Sequence, residues 1–260
     1  MSRPEGRLQD KIAVVTGSTG GIGRGIALVM VREGAKVVIC GRRQEQGVRA
    51  AEEITALGGA AVFQPTDLTV EDDCRCLIER ARQEFGGLDI LVNNAGIFPR
   101  ARLEETTQRL WEEIMAVNLR GPFFCCKYAV PLMRERGGGA IINVGSVNAY
   151  CGQPNLLAYA ISKGGLLTMT HTLARALARD RIRVNWVTVG WVASEGEIAL
   201  HEGEGHDEQW LHRTAERTMP LGRMQTEEEI AHAVVFLASD EGCQITGTEL
   251  DVDGGFTIGR

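Results

Sequence analysis

A chain of 260 residues with 44% hydrophobic and 24% charged residues is long enough for a sizeable core and ordinary for a globular protein. Its net charge of −6 provides no basic footprint, which argues against a nucleic-acid partner. No apolar run reaches bilayer length, MSRPEGRLQD is no signal peptide, and seven scattered cysteines lack CxxC pairing, so we expect a cytoplasmic chain with reduced thiols.

KIAVVTGSTGGIGRGIALVMVREG (Lys11 to Gly34) has the order buried strand, glycine-rich turn, amphipathic helix, and AKVVIC (Ala35 to Cys40) follows as a second strand. That order is the pattern of a dinucleotide-binding βαβ unit. Gly17, Gly20, Gly21 and Gly23 do not meet the G-x-G-x-x-G spacing; the order is T-G-x-x-x-G-x-G. A helix from Gln44 to Leu57 precedes a third strand, Ala60 to Gln64. Next come the helix EDDCRCLIERARQEFG, with Asp67 or Thr69 as its candidate N-cap, and a fourth strand in LDILVNNAG. A long helical region from Thr107 to Arg136 carries Gly121-Pro122 at its middle, where we expect a kink. The fifth strand is AIINVG (Ala140 to Gly145), followed by the helix holding Tyr159 and Lys163, and the sixth is RIRVNWVTV (Arg181 to Val189). TEEEIAHAVVFLAS is a late helix with Thr226 and Glu229 placed for a capping box, and TELDVDGG ends the sheet. Continuous apolar strands alternating with helices predict a doubly wound α/β domain of Rossmann type, with about seven parallel strands covered on both faces. No repeat or linker divides the chain, so residues 1–260 are expected to form one domain, with ligands at the carboxyl ends of its strands.

Tyr159 and Lys163 are four apart and share one helix face, and Ser146 sits at the exit of the fifth strand. A fixed ammonium beside a phenol favours the phenolate, which predicts a lowered tyrosine pKa suited to acid–base catalysis. With the glycine turn, Asn93-Asn94-Ala95-Gly96 and Asn118, this set resembles the short-chain dehydrogenase/reductase family from about Leu8 to the C-terminus. The resemblance implies that Tyr159 is the acid–base residue and that Lys163 lowers its pKa and holds the nicotinamide ribose. It implies that Ser146 binds the substrate oxygen, and that Asn118 kinks its helix and binds a water of the proton relay. Gly17, Thr19, Gly21, Ile22 and Gly23 would cradle the pyrophosphate, and Asp67 and Leu68 would meet the adenine. Asn94, Ala95 and Gly96 would lie along the adenine ribose, and Gly190, Val192 and Ser194 near the nicotinamide. Val189 stands where relatives carry proline, so altered loop geometry is expected there.

Gly41 occupies the end of the second strand, where an NAD-selective chain places a carboxylate, and Arg42-Arg43 follow. We therefore expect NADP(H) to be favoured, with NAD(H) possible. The stretch from Ser194 to Arg223 resembles a mobile substrate lid; it is polar, acidic and holds His201, His206 and His212. His201, Glu202, Glu204, His206 and Asp207 suggest metal ligands, but an acidic loop is usually a solvated surface, and we expect no metal there or at Cys74-x-Cys76.

The expected activity is hydride transfer between the nicotinamide cofactor and an alcohol/ketone small molecule, such as a sugar or polyol. A 3-oxoacyl thioester (acyl-carrier-protein) reductase is the alternative within the enzyme class, although the acidic balance disfavours an acidic carrier. An inactive cofactor-binding regulator is the alternative outside it. Apolar residues in PFFCCKYAVPLM and LLTMTHTLARAL exceed one core-facing stripe, which predicts a homotetramer.

Overall fold

The computed structural model describes residues 6–258. Seven strands form one sheet in the order β3-β2-β1-β4-β5-β6-β7. They are β1 (Ile12–Val15), β2 (Lys36–Gly41), β3 (Ala60–Pro65), β4 (Ile90–Asn93), β5 (Gly139–Val144), β6 (Ile182–Val189) and β7 (Glu249–Val252). All six pairings are parallel, as the continuous apolar runs predict.

Alternation within each strand sends side chains to two separate cores. Ala13 and Val15 of β1 join Ile142 and Val144 of β5 against α1 (Gly21–Arg32), α2 (Gln44–Ala56) and α9 (Glu227–Ala238). Ile12 and Val14 join Ile141 on the other face, against α3 (Glu71–Phe85), α5 (Gly121–Glu135) and α6 (Leu157–Leu177). This is a doubly wound Rossmann-type fold. Thr226 and Glu229 form the expected capping box at α9, with bonds of 3.2 and 2.8 Å in the two directions. Among the described residues, no helix is long and apolar enough to cross a membrane.

Two expectations about helix ends need correcting. Val70 is the N-cap of α3 and has no side-chain cap bond. Asp67 instead accepts from the amide and hydroxyl of Thr69 at 2.9 and 2.8 Å, closing its own turn before the helix begins. The long helical region is interrupted at Ala116–Arg120, one π-helical turn between α4 (Gln108–Met115) and α5, and not at Gly121-Pro122. Pro122 lies at the start of α5, where the missing N–H costs little. The π-turn contains Asn118, whose side chain bonds to the β4 exit loop.

Strand order reverses between β1, which leads outward to β2 and β3, and β4, which leads to β5, β6 and β7. The loops leaving β1, β4, β5 and β6 therefore meet on one rim, around a cleft of about 1210 Å³.

Candidate active site

The glycine turn after β1 forms one end of the cleft. Gly17 has φ +63°, and a Cβ there would lie 2.9 Å from the Cβ of Ala95. At Gly23 an added Cβ would clash with the Gly17 carbonyl and the Asn94 amide. Asn94 itself donates to the carbonyls of Thr16 and Gly17 at 2.9 and 3.2 Å, and the Thr16 hydroxyl accepts from the amides of Asn94 and Ala95, both at 3.0 Å. The glycine turn and the Asn-Asn-Ala-Gly turn are thus one locked unit. Thr16 was missed in the sequence, although its place directly before Gly17 was visible.

Helix α1 starts at the cleft with no side-chain cap and no acidic residue in its first turn. Its leading N–H groups are left for an anion, which fits a pyrophosphate. The arrangement of glycines, bare helix end and long cleft fits a dinucleotide. All the expected cofactor-contact residues, from Gly17, Thr19, Gly21, Ile22 and Gly23 to Gly190, Val192 and Ser194, line this cleft.

At the β2 end, Arg42 and Arg43 are exposed on the cleft wall. Gly41 packs against Thr19, whose Cγ2 would sit 2.8 Å from an added Cβ, so a carboxylate at 41 has little room. Asp67 lies below the usual carboxylate range, through its bond from the Thr69 amide and, to a smaller extent, the charge of Arg42.

The catalytic candidates occupy the middle. Gly145 follows β5 because Trp186 of β6 lies across it and would clash with any Cβ. Beyond that point Ser146 caps a short turn, its Oγ accepting from the Asn148 amide at 3.1 Å. Lys163 is 3% exposed, and its Nζ donates to the Val144 carbonyl at 2.8 Å and lies 5.8 Å from the Tyr159 ring centroid. Phe98 holds the Tyr159 ring edge-on at 6.0 Å. Asn118 lies beneath, fully buried: it donates to the Ile97 carbonyl at 2.8 Å and to Ser162 at 3.1 Å, and accepts from the Ile97 amide at 2.8 Å.

The electrostatics differ from the sequence expectation. Burial raises the Tyr159 pKa, the hydrogen bond with Ser146 opposes it, and the charge of Glu197 adds to the rise. Burial also pulls Lys163 down to about 8, so that the amine stays charged at neutral pH and loses its proton within the mildly alkaline range. The Tyr159 phenol is thus raised, against the lowered value that its spacing from Lys163 predicts.

Around Val189 and Ser194 the structure adds detail to the cleft wall. Val189 continues β6 in register with Val252, and Gly190 then donates to the Val252 carbonyl at 3.3 Å. The residue in the proline position is thus part of the sheet. Gly190 itself must stay small, since a Cβ would lie 2.8 Å from the Asp253 Cα. Ser194 is the N-cap of α7 (Glu195–Gly203), accepting from the Glu197 amide at 3.3 Å, so its hydroxyl has a structural task besides any cofactor contact.

Residues 194–223, expected as an acidic loop, contain two helices, α7 and α8 (Glu208–Thr218). Leu211, Ala215, Met219 and Met224 form their own small core with Trp191, Ile198 and Trp210. Glu197 faces the cleft and accepts from Trp191 Nε1 at 2.8 Å. Arg100 reaches across from the β4 side to form an ion pair with Glu204. Glu197, Arg100, Phe98 and Trp191 carried no motif by which the sequence could have marked them.

A profile described as enoyl-(acyl carrier protein) reductase matches residues 17–257. The NADP-dependent (R)-specific alcohol dehydrogenase of Lentilactobacillus kefiri is 39% identical over 256 residues, covering 96% of this chain and 98% of its own. A 3-oxoacyl-(acyl-carrier-protein) reductase of Thermotoga maritima is 35% identical over 252 residues, with 97% and 100% covered. The structure of L-sorbose reductase from Gluconobacter frateurii, complexed with NADPH and L-sorbose, superposes with a TM-score of 0.94 at 30% identity, covering 99% and 100%. Likeness over the whole length, in sequence and in backbone, extends the match well beyond a few motifs. The chain therefore belongs to the short-chain dehydrogenase/reductase family, NAD(P)-dependent oxidoreductases that act on hydroxyl and carbonyl groups.

Proposed function

We propose that this protein interconverts a secondary alcohol and a ketone on a small polar molecule of the sugar or polyol kind, using NADP(H). One juxtaposition carries the reading: Ser146, Tyr159 and Lys163 meet between an anion cradle and a wall containing Glu197, Asn148 and Gln153. Bound in the cleft, the nicotinamide supplies the hydride in reduction and accepts it in oxidation. Ser146 binds the substrate oxygen and offsets charge developing on it. Tyr159 gives that oxygen its proton in reduction and removes it in oxidation. Lys163, near the Tyr159 ring, would hold the ribose hydroxyls of the cofactor. Asn118 is a positioning residue, fixing Ile97 and hence the loop that carries Phe98. The helices of residues 194–223 act as the lid over the substrate.

Polar wall groups suit a substrate bearing several hydroxyls; of the relatives, one is named for L-sorbose and the other for an alcohol. Glu195 and Glu197 at the cleft mouth disfavour an acidic carrier, which weighs against the 3-oxoacyl thioester alternative. A panel of polyols, ketoses, simple ketones and 3-oxoacyl thioesters, followed by nicotinamide absorbance, tests the assignment. A kcat/KM for the thioester well above that of every ketose would overturn it.

Cofactor choice rests on Arg42, Arg43 and the missing carboxylate at Gly41, together with two relatives described with NADP or NADPH. Arg42→Asp is expected to move the kcat/KM ratio at least tenfold toward NAD, about 1.4 kcal/mol of discrimination. An unchanged ratio would mean that Arg42 does not contact the 2′-phosphate.

We further propose a cytoplasmic homotetramer. A tetramer with two-fold axes needs two self-complementary patches. Trp111, Phe123 and Ile161 leave apolar surface exposed on α4, α5 and α6, and Leu221, Phe256 and Ile258 form a second exposed set. Light scattering at micromolar concentration should return the mass of four chains; a monomer mass would refute it.

A further inference from the structure

The turn joining α7 to α8 brings together three side chains that the catalytic reading does not use. His201 lies in the last turn of α7, Glu204 is that helix's C-cap, and His206 follows Gly205, which takes φ +86°. The His206 amide donates to the His201 carbonyl at 2.9 Å, so the chain folds back on itself. One ligand atom from each of His201, Glu204 and His206 lies within 4.8 Å of the other two. Tetrahedral bonds of about 2.0–2.2 Å place ligand atoms roughly 3.3–3.6 Å apart. The three therefore need to close by about an ångström, within reach of two χ rotations on a turn.

His201 is 7% exposed. Its Nε2 lies 3.1 Å from Glu197 Oε1, an acceptor already fixed by the Trp191 indole. With the proton on Nε2, the buried Nδ1 presents a lone pair and has no hydrogen-bond partner. Facing it at 3.2 Å is Glu204 Oε2, a second acceptor. The buried Nδ1 lone pair and the Glu204 carboxylate at its edge thus converge on one place that a metal ion can occupy. Glu204 keeps its other oxygen, Oε1, on Arg100. His206 is oriented by stacking on Trp210, with centroids 3.7 Å apart and planes 6° apart.

We infer that His201 Nδ1, Glu204 Oε2 and a ring nitrogen of His206 form a binding site for a divalent cation of the zinc class. Two imidazoles and one carboxylate favour Zn²⁺, Co²⁺ or Ni²⁺ over Mg²⁺ or Ca²⁺. Glu197 is the outer partner that sets the His201 tautomer, as carboxylates do behind metal-bound histidines. The ion would clip α7 to the start of α8 and stiffen the wall over the cleft. It has no part in hydride transfer, and the inference does not depend on the substrate class.

The test is Co²⁺ titration of the tag-free, chelator-treated full chain, read by visible absorption. We expect saturation at one ion per chain with d–d bands of nitrogen and oxygen ligation, and a melting temperature that rises with added Zn²⁺. Glu204→Gln and His206→Ala should each weaken binding at least tenfold, while His212→Ala, at an exposed histidine of α8, should leave it unchanged. Glu204→Gln preserves shape and should melt within about 2 °C of the wild type in chelator, which separates lost binding from lost folding. Failure to saturate would overturn the site. Equal affinity in all three variants, or thiolate charge-transfer bands from exposed Cys151 or Cys243, would overturn it equally.

Discussion

Tyr159→Phe is expected to lower kcat by about a thousandfold or more while cofactor affinity changes less than threefold. General acid–base catalysis contributes about 10²–10⁴ in rate, and the phenol lies in the cleft in hydrogen-bond contact with Ser146. The ring itself is held by Phe98 from its edge, so phenylalanine keeps the packing and loses the hydroxyl alone. The pH profile gives a second reading of the same assignment. Because burial holds the phenol above its ordinary pKa, oxidation, which needs phenolate, should climb with pH, whereas reduction, which needs phenol, should hold to higher pH. Steady-state kinetics in both directions check both statements. A variant that keeps a tenth of wild-type kcat would remove Tyr159 from the mechanism.

Lys163→Met should uncouple stability from function. Lys163 is 3% exposed, and burial brings its pKa down to about 8 from 10.5. Between those values the unfolded chain binds more protons than the folded one, so stability rises with pH across that interval. Below pH 8 the amine is charged in both states and the burial cost is present in full, about 3 kcal/mol from the shift. Losing the donor to the Val144 carbonyl offsets about 1 kcal/mol of this. The cofactor-free variant should therefore be more stable than wild type at pH 7 by about 2 kcal/mol, or about 5 °C in Tm. That advantage should shrink as pH rises from 8 to 10.5. Cofactor affinity should fall at least tenfold in the same protein, through the lost ribose contact. Thermal unfolding at pH 7 and pH 9.5 with a cofactor titration measures all three. A variant less stable than wild type at pH 7 would mean that the buried charge is better satisfied than its surroundings indicate.

The sheet was legible because its central strands are buried on both faces. Runs such as IAVV and IINV have no polar alternation to confuse with a half-exposed strand. The site was legible where chemistry depends on spacing: Tyr159 and Lys163 one helical turn apart, and glycines where Gly17 and Gly23 leave no room for a Cβ. What stayed hidden depends on depth and on partners distant in the chain. The direction of the Tyr159 shift is decided by burial, which no i,i+4 spacing reports. The π-turn at Asn118 is tied by bonds to Ile97, 21 positions away, while Gly121-Pro122 drew attention locally. In the lid, Ile198, Trp210, Leu211, Ala215 and Met219 build a small core, but they are diluted by charged neighbours that obscured the helical period. His201 therefore looked like surface and is buried.

In the proposed reaction Tyr159 and Ser146 manage the proton at an oxygen whose carbon exchanges hydride directly with the cofactor. Reduction of the best ketone substrate with NADPH deuterated at the transferring C4 position, read by mass spectrometry of the product alcohol, tests it most directly. We expect one deuterium on the carbinol carbon with the wild type and, on the same timescale, no labelled product with Tyr159→Phe. Product without label, or labelled product formed equally fast by the variant, would contradict it.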